Sequence, residues 1–315
     1  MKNTVKKIIK AAAFILLVVL CFSLLTPVFR KKSTEGAWNY TTKVNGFRNL
    51  EENSLDMIVF GSSHAYCSFV PSVLSEYGIS SYVLATQQQP SYISYHYMKE
   101  ALKTQKPKVI VYETFMISSN EFVPDDSVIY DAANQLPLSV NKLEMLRAAT
   151  KGKKAGEKLP FYLTLLKYHN RYGDLTDEDF YYDPSADSDE YSGYVYLESA
   201  KPVEAITLEN PDKTSAICDR DLEYLGKMAK LCEENGIKFV LAYAPYVVGD
   251  DSIGDLNAIA EYAEKNEISF YNGYKEFDSL TLDLETDFYG TNHLNYSGAT
   301  KFSHAFAEYI AEYIN

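Results

Sequence analysis

Short apolar runs alternate with longer amphipathic stretches through most of this chain. Met57-Ile58-Val59-Phe60 is a four-residue apolar run that stops at Gly61, the pattern of a strand buried on both faces. Pro71–Tyr77 reads as a helix opened by proline and closed at Gly78. Ser81–Ala85 is a second strand, and Tyr92–Thr104 carries helical spacing through Ile93, His96, Tyr97 and Leu102. Val109–Tyr112 is a third strand. Further on, Leu222, Leu225, Met228 and Leu231 mark an amphipathic helix that stops at Gly236. Phe239–Tyr243 follows as a strand ended by Pro245, then a helix over Leu256–Asn266 and a strand over Ile268–Tyr271. A last helix, Gly298–Ile314, places Phe302, Phe306, Tyr309 and Ile310 on one face. Strands alternating with helices of this length imply a mostly parallel sheet covered on both faces, an α/β three-layer sandwich of the flavodoxin-like kind.

Two regions depart from that rhythm. Ala11–Phe29 is nineteen residues without a charge, about 28 Å as a helix at about 1.5 Å per residue, close to the thickness of a bilayer's hydrocarbon core. Basic residues flank it on both sides, and no small-x-small site closes it. Residues 1–32 are therefore read as a short cytoplasmic tail and an uncleaved signal anchor, which places the rest outside the cytoplasm. Residues 33–54 read as a polar juxtamembrane linker and 55–315 as the α/β domain. Within the latter, about 114–218 breaks the alternation with the basic segment 151–158 and the Tyr/Asp-rich stretch Tyr172–Tyr196. It is read as a cap inserted near the active-site end of the sheet. Its tyrosines could stack on sugar rings, although the chain's 27 tyrosines are spread throughout.

Charge narrows the classes of function. Residues 1–32 hold seven Lys and Arg and no acid, so the formal net charge of −13 becomes −20 beyond them. Nucleic acid, whose binding needs phosphates neutralised, is excluded as a partner. The cysteines Cys21, Cys67, Cys218 and Cys232 match no zinc or CxxC spacing. A Cys218–Cys232 disulfide and free buried thiols both remain open. No His, Cys and carboxylate cluster has metal-ligand spacing, and no phosphate loop appears, so no cofactor is expected.

Candidate chemistry gathers in two blocks. Phe60-Gly61-Ser62-Ser63-His64 directly follows the first strand, where a serine is exposed at the carboxyl edge of the sheet and ligands bind in such folds. Its own N–H and the positive end of a following helix can stabilise an oxyanion. Phe288 to Asn295 places His293 in a polar loop just before the last helix. His64 lies too close in sequence to Ser63 to serve easily as its base. His96 reads as a core histidine, and His304 as lying on the last helix's exterior.

Together these blocks resemble the SGNH (GDSL-like) hydrolase superfamily. They are most similar to its membrane-anchored branch, which includes the D-alanyl-teichoic-acid transfer protein and the alginate O-acetylation proteins. His293 to Phe302, HLNYSGATKF, looks like that branch's HLN-x-x-G-A ending, and Leu159-Pro160-Phe161 and Tyr168-His169 look like its middle segment. The likeness runs through most of residues 55–315. It implies Ser63 as nucleophile and His293 as base. The family's acidic residue three positions before the histidine is Gly290 here, so Asp287 or Asn292 orients His293, or the site works as a Ser–His dyad. No glycine matches the second block, where Gln87 or Gln88 could donate to an oxyanion. Glu113 stands where the third block has asparagine, and either binds substrate or caps the next segment. The implied activity is O-acyl transfer, acetyl above all, through an acyl-serine to a polysaccharide or teichoic-acid-like acceptor, with a membrane-bound O-acyltransferase as donor partner. Carbohydrate esterase activity and a non-catalytic accessory role are the alternatives.

Overall fold

The computed structural model describes residues 2–314, which fall into two compact units. The smaller gathers the chain up to Ser33 with Thr150–Pro184, and the larger Thr34–Ala149 with Ser185–Asn315.

The smaller unit is built around α1 (Lys2–Phe29), an exposed helix long and apolar enough over Asn3–Phe29 to cross a membrane. Its C-terminal end is fastened by a single carboxylate. Asp179, buried, accepts from Lys32 at 3.1 Å and from Arg171 at 3.1 Å, while Arg171 also donates to the Phe29 carbonyl at 2.7 Å.

The larger unit carries the sheet. Its first helix, α2 (Tyr40–Arg48), lies within the stretch read as a linker. Tyr40, Val44 and Phe47 recur at helical spacing and are buried, so all of that stretch beyond Ser33 is folded into the α/β unit. Then come β1 (Met57–Phe60), α3 (Ser63–Ser68), α4 (Pro71–Glu76), β2 (Ser81–Val83), α5 (Ser91–Ala101) and β3 (Val109–Glu113). The expected cap is divided. The helices α6 (Asp126–Gln135) and α7 (Val140–Ala149) belong to the α/β unit; α8 (Ala155–Tyr162), α9 (Leu165–Tyr168) and α10 (Asp177–Tyr181) belong to the unit of α1. The chain ends with α11 (Asp219–Glu234), β4 (Lys238–Tyr243), α12 (Asp250–Lys265), β5 (Ser269–Asn272) and α13 (Tyr296–Ile310).

All strand pairings are parallel, in the order β2-β1-β3-β4-β5. Met57, Val59, Val109, Val111, Val240 and Ala242 share a core with Phe69, Phe302 and Phe306 of the α3–α4 and α13 side. Alternation turns Ile58, Phe60, Ile110, Tyr112 and Leu241 to the other face, where α5 and α11 pack. The result is the three-layer α/β sandwich expected, and it explains why these strands read as unbroken apolar runs. Cys218 caps the start of α11 and Cys232 lies in its last turn, both as free thiols, Cys232 buried and Cys218 bonded to Asp221, so the described chain has no disulfide between them.

Candidate active site

The strand order decides where a ligand should bind. From β1 the chain steps to one side for β2, then crosses to the other for β3, so the order reverses between β1 and β3. In open α/β sheets the crevice beyond the carboxyl ends of two such strands is the usual binding position. Here those ends carry Gly61-Ser62-Ser63-His64 and Glu113. They meet closely: a Cβ on Gly61, whose φ is +154°, would lie 2.9 Å from Glu113 Cβ.

Two consecutive serines follow Gly61, and the structure gives them different tasks. Ser62 is fully buried as the N-cap of α3, its Oγ accepting from the His64 N–H at 3.5 Å. Ser63 starts the helix and stays half-buried, so it is the serine that a substrate can reach. The phenol of Tyr66, one turn along the same face of α3, lies beside the Ser63 hydroxyl and interacts with it. Tyr66 Oη is 3.4 Å from Tyr40 Oη, and the backbone of Gln87 lies near the Tyr40 phenol. Burial raises both phenols, Tyr40 to about 12 and Tyr66 well above its ordinary value, so both stay neutral at physiological pH. The edge of Trp38 packs on Tyr66 at 5.5 Å between ring centroids.

His293 arrives from the loop before α13. Its ring centroid is 5.0 Å from that of His64, the residue next to Ser63. Its Nε2 is buried without a hydrogen-bond partner, and burial alone lowers its pKa. A neutral imidazole with an open nitrogen is what a general base needs. His64 is fully buried, stacked on Phe115 at 3.4 Å and edge-on to Tyr246 at 5.1 Å, with its own Nε2 unpartnered. Desolvation first, then His293, holds its pKa well below the usual histidine range.

Asp287 does not face this pair. Its carboxylate, 0% exposed, accepts from Ser297 Oγ at 2.6 Å, Lys301 Nζ at 2.6 Å and the Asp283 N–H at 2.8 Å. Burial works to raise its pKa, but these donors outweigh it and hold it below the usual carboxylate range. It thus ties the 283–287 turn to α13. Asn292 is exposed, and Gly290 sits at φ +84° in open space.

The remaining expected residues are spread around the crevice. The side chains of Gln87 and Gln88 are exposed, and only the main chain of Gln87 comes near the Tyr40 phenol. Gln89, which sequence reasoning passed over, is the buried one. It accepts from Thr86 N–H at 3.1 Å and Thr86 Oγ1 at 2.9 Å and donates to Ser94 at 2.9 Å, fixing the loop after β2. Glu113 is fully buried; its Oε1 accepts from the N–H groups of Phe115 at 3.2 Å and Ala244 at 3.5 Å, and its Oε2 has no partner. Burial pushes its pKa up to about 8. Tyr66 and Tyr40 were also missed, although Ser63 and Tyr66 stand at i, i+3. Among the described residues, no three His, Cys, Asp or Glu converge as a metal site.

No protein-family model matches the chain, and no curated protein matches it in sequence. Among solved structures, it is similar to a GDSL-like lipase from Bacteroides thetaiotaomicron, with 14% identity over 88% of this chain and 99% of that one and a TM-score of 0.42. It is also similar to an acetyl xylan esterase from the rumen bacterium Butyrivibrio proteoclasticus, with 9% identity over 84% of this chain and 65% of that one and a TM-score of 0.32. At such identities the likeness extends to the general α/β fold alone.

Proposed function

We propose that this chain is a membrane-anchored, extracytoplasmic serine enzyme that moves an acyl group, acetyl above all, through Ser63. One observation carries the reading: a half-buried serine at the β1/β3 crevice has beside its turn a neutral histidine whose Nε2 lacks a partner. His293 takes the Ser63 proton as Oγ attacks the carbonyl carbon of an ester. The tetrahedral intermediate collapses with loss of the donor alcohol, which His293 reprotonates, leaving an acyl-serine. A carbohydrate hydroxyl, or water, then gives its proton to His293 and takes the acyl group. For attack, the Ser63 hydroxyl turns toward His293, and the neutral Tyr66 phenol beside it donates toward the substrate oxygen.

With a carbohydrate acceptor the enzyme is an O-acyltransferase of an envelope or exported polysaccharide, supplied by a membrane-bound O-acyltransferase. With water it is a carbohydrate esterase. α1 supports the membrane site, since tethering raises the local concentration of enzyme near a membrane donor. A non-catalytic accessory role is favoured by one feature only, the engagement of Asp287 with Lys301 instead of with His293. Turnover of p-nitrophenyl acetate and of acetylated oligosaccharides by wild type, Ser63→Ala and His293→Ala separates these readings. The enzyme reading requires wild-type turnover that Ser63→Ala abolishes and that His293→Ala lowers at least about a hundredfold.

A further inference from the structure

Beside α3, a cleft of about 420 Å³ runs between the start of β2 and the segment 190–196. Tyrosines and serines predominate in its lining, among them Tyr191, Tyr196, Tyr296, Ser72 and Ser75, with apolar side chains such as Val70 and Ile79 between them. Tyr196 and Tyr296 lie 4.7 Å apart between ring centroids, Tyr191 6.1 Å from Tyr196, and Tyr194 6.3 Å from Tyr296. Three of these rings are well exposed, Tyr191 at 48%, Tyr196 at 41% and Tyr296 at 36%. A run of adjoining exposed aromatic rings is costly to leave in water and commonly marks a binding surface. Tyr196 and Tyr296 also wall a second cleft with Ser297 and Thr300, so the rings form a ridge with space on both sides.

The polar side chains of the cleft are mostly hydroxyls, and Ser72 and Ser75 present theirs to solvent. Hydroxyls both donate and accept, as the hydroxyls of a sugar do. Charge points the same way. Glu190 is the one charged residue lining the first cleft. In the second, Glu198 stands opposite Lys301, which is already engaged by Asp287. No free cation therefore offers itself to a phosphate or carboxylate among these residues, and the unit around them is strongly acidic.

We propose that this tyrosine-lined cleft binds a neutral polysaccharide chain, with pyranose C–H faces on Tyr196 and Tyr296 and sugar hydroxyls toward Ser72 and Ser75. The cleft is coupled to the reacting serine through α3: the Val195 N–H donates to the Tyr66 carbonyl at 2.7 Å, and Tyr66 stands one turn from Ser63 on that helix. That the bound chain is the substrate of Ser63 rests on the acyl-transfer reading above; the binding itself does not. The charge pattern selects against polyuronates and glycerol-phosphate polymers.

Calorimetry on the full chain in detergent tests this with neutral hexasaccharides of glucose, galactose and mannose, against oligogalacturonate and poly(glycerol phosphate). At least one neutral glycan should bind more tightly than either polyanion. Tyr196→Ala and Tyr296→Ala should each weaken that binding tenfold or more, with Tyr296→Phe close to wild type and unchanged circular dichroism melts. Ser63→Ala should bind as wild type does. Binding that survives both alanine substitutions, a preference for a polyanion, or no glycan binding would overturn the proposal. Binding by a protein that turns over no acyl ester would leave the cleft standing and remove only the acyl-transfer reading.

Discussion

Gly61 and Glu113 face each other across the β1/β3 crevice with no room for a methyl group between them, since a Cβ on Gly61 would stand 2.9 Å from Glu113 Cβ. Two of the closest neighbours of that missing atom, Glu113 Cβ and the Glu113 carbonyl at 3.2 Å, belong to the central strand. Gly61→Ala therefore combines a strained φ with overpacking and should destabilise the protein by about 2 kcal/mol or more. Urea denaturation monitored by circular dichroism reads this directly. A Gly61→Ala protein as stable as wild type would mean that the two strand ends are farther apart.

Glu113 itself makes stability depend on pH. Its folded pKa is raised from 4.5 to about 8, so the folded state keeps a proton that the unfolded state gives up. The associated stability is complete below about pH 4.5 and is lost as pH rises toward 8. Glu113→Gln keeps the shape and abolishes the titration. Its stability relative to wild type should grow between pH 5 and pH 8, and a constant difference across that range would show that Glu113 is ionised in the folded protein.

Asp287 has the opposite sign. Lys301, Ser297 and the Asp283 N–H hold its pKa below 3.8, so it contributes stability above that pH and loses it as pH falls. Asp287→Asn should cost about 1–3 kcal/mol at pH 7 while leaving kcat within a few-fold of wild type. A steep fall in kcat with stability unchanged would place the carboxylate on His293 during the reaction. Gly290→Asp should not restore a triad, because its φ of +84° disfavours any side chain there despite the open space.

How much of this was legible in the sequence follows from what each signal encodes. β1, β3 and β4 were readable because a parallel strand buried on both faces is a nearly unbroken apolar run, ended here by residues such as Gly61 and Pro245, whereas β2 and β5 each begin at a serine. α2 was lost because Thr, Asn and Gly dilute its helical propensity, although Tyr40, Val44 and Phe47 carried the spacing. α12 begins six residues before the expected Leu256, at Asp250-Asp251, acids suited to a helix start that hydrophobic periodicity does not register. Ser63 and His293 stood out because polar residues at strand ends and before helices are where such folds expose them. The direction of the Asp287 carboxylate was not readable from its distance to His293. It depends on Ser297 and Lys301, one turn apart on α13. Tyr40, joined to Ser63 only through Tyr66, could not be found before α2 was known to fold inward.

The protonation of His293 sets the pH profile. Burial lowers its pKa below 6.5, so the base is neutral at pH 7, and the acid limb of kcat/KM should fall below pH 6.5. His293→Ala should lower the rate by about a hundredfold to ten-thousandfold and remove that limb. An acid limb above pH 6.5 would require an anionic partner for His293 that raises its pKa.

Ser63 is the nucleophile of the proposed reaction. An activated fluorophosphonate should phosphonylate the wild-type chain at a single serine, found by mass spectrometry on the peptide containing Gly61-Ser62-Ser63-His64, with the adduct on Ser63. Ser63→Ala should not label, and His293→Ala should label far more slowly. Labelling at another serine, or none in a folded wild-type protein that binds glycan, would contradict the account.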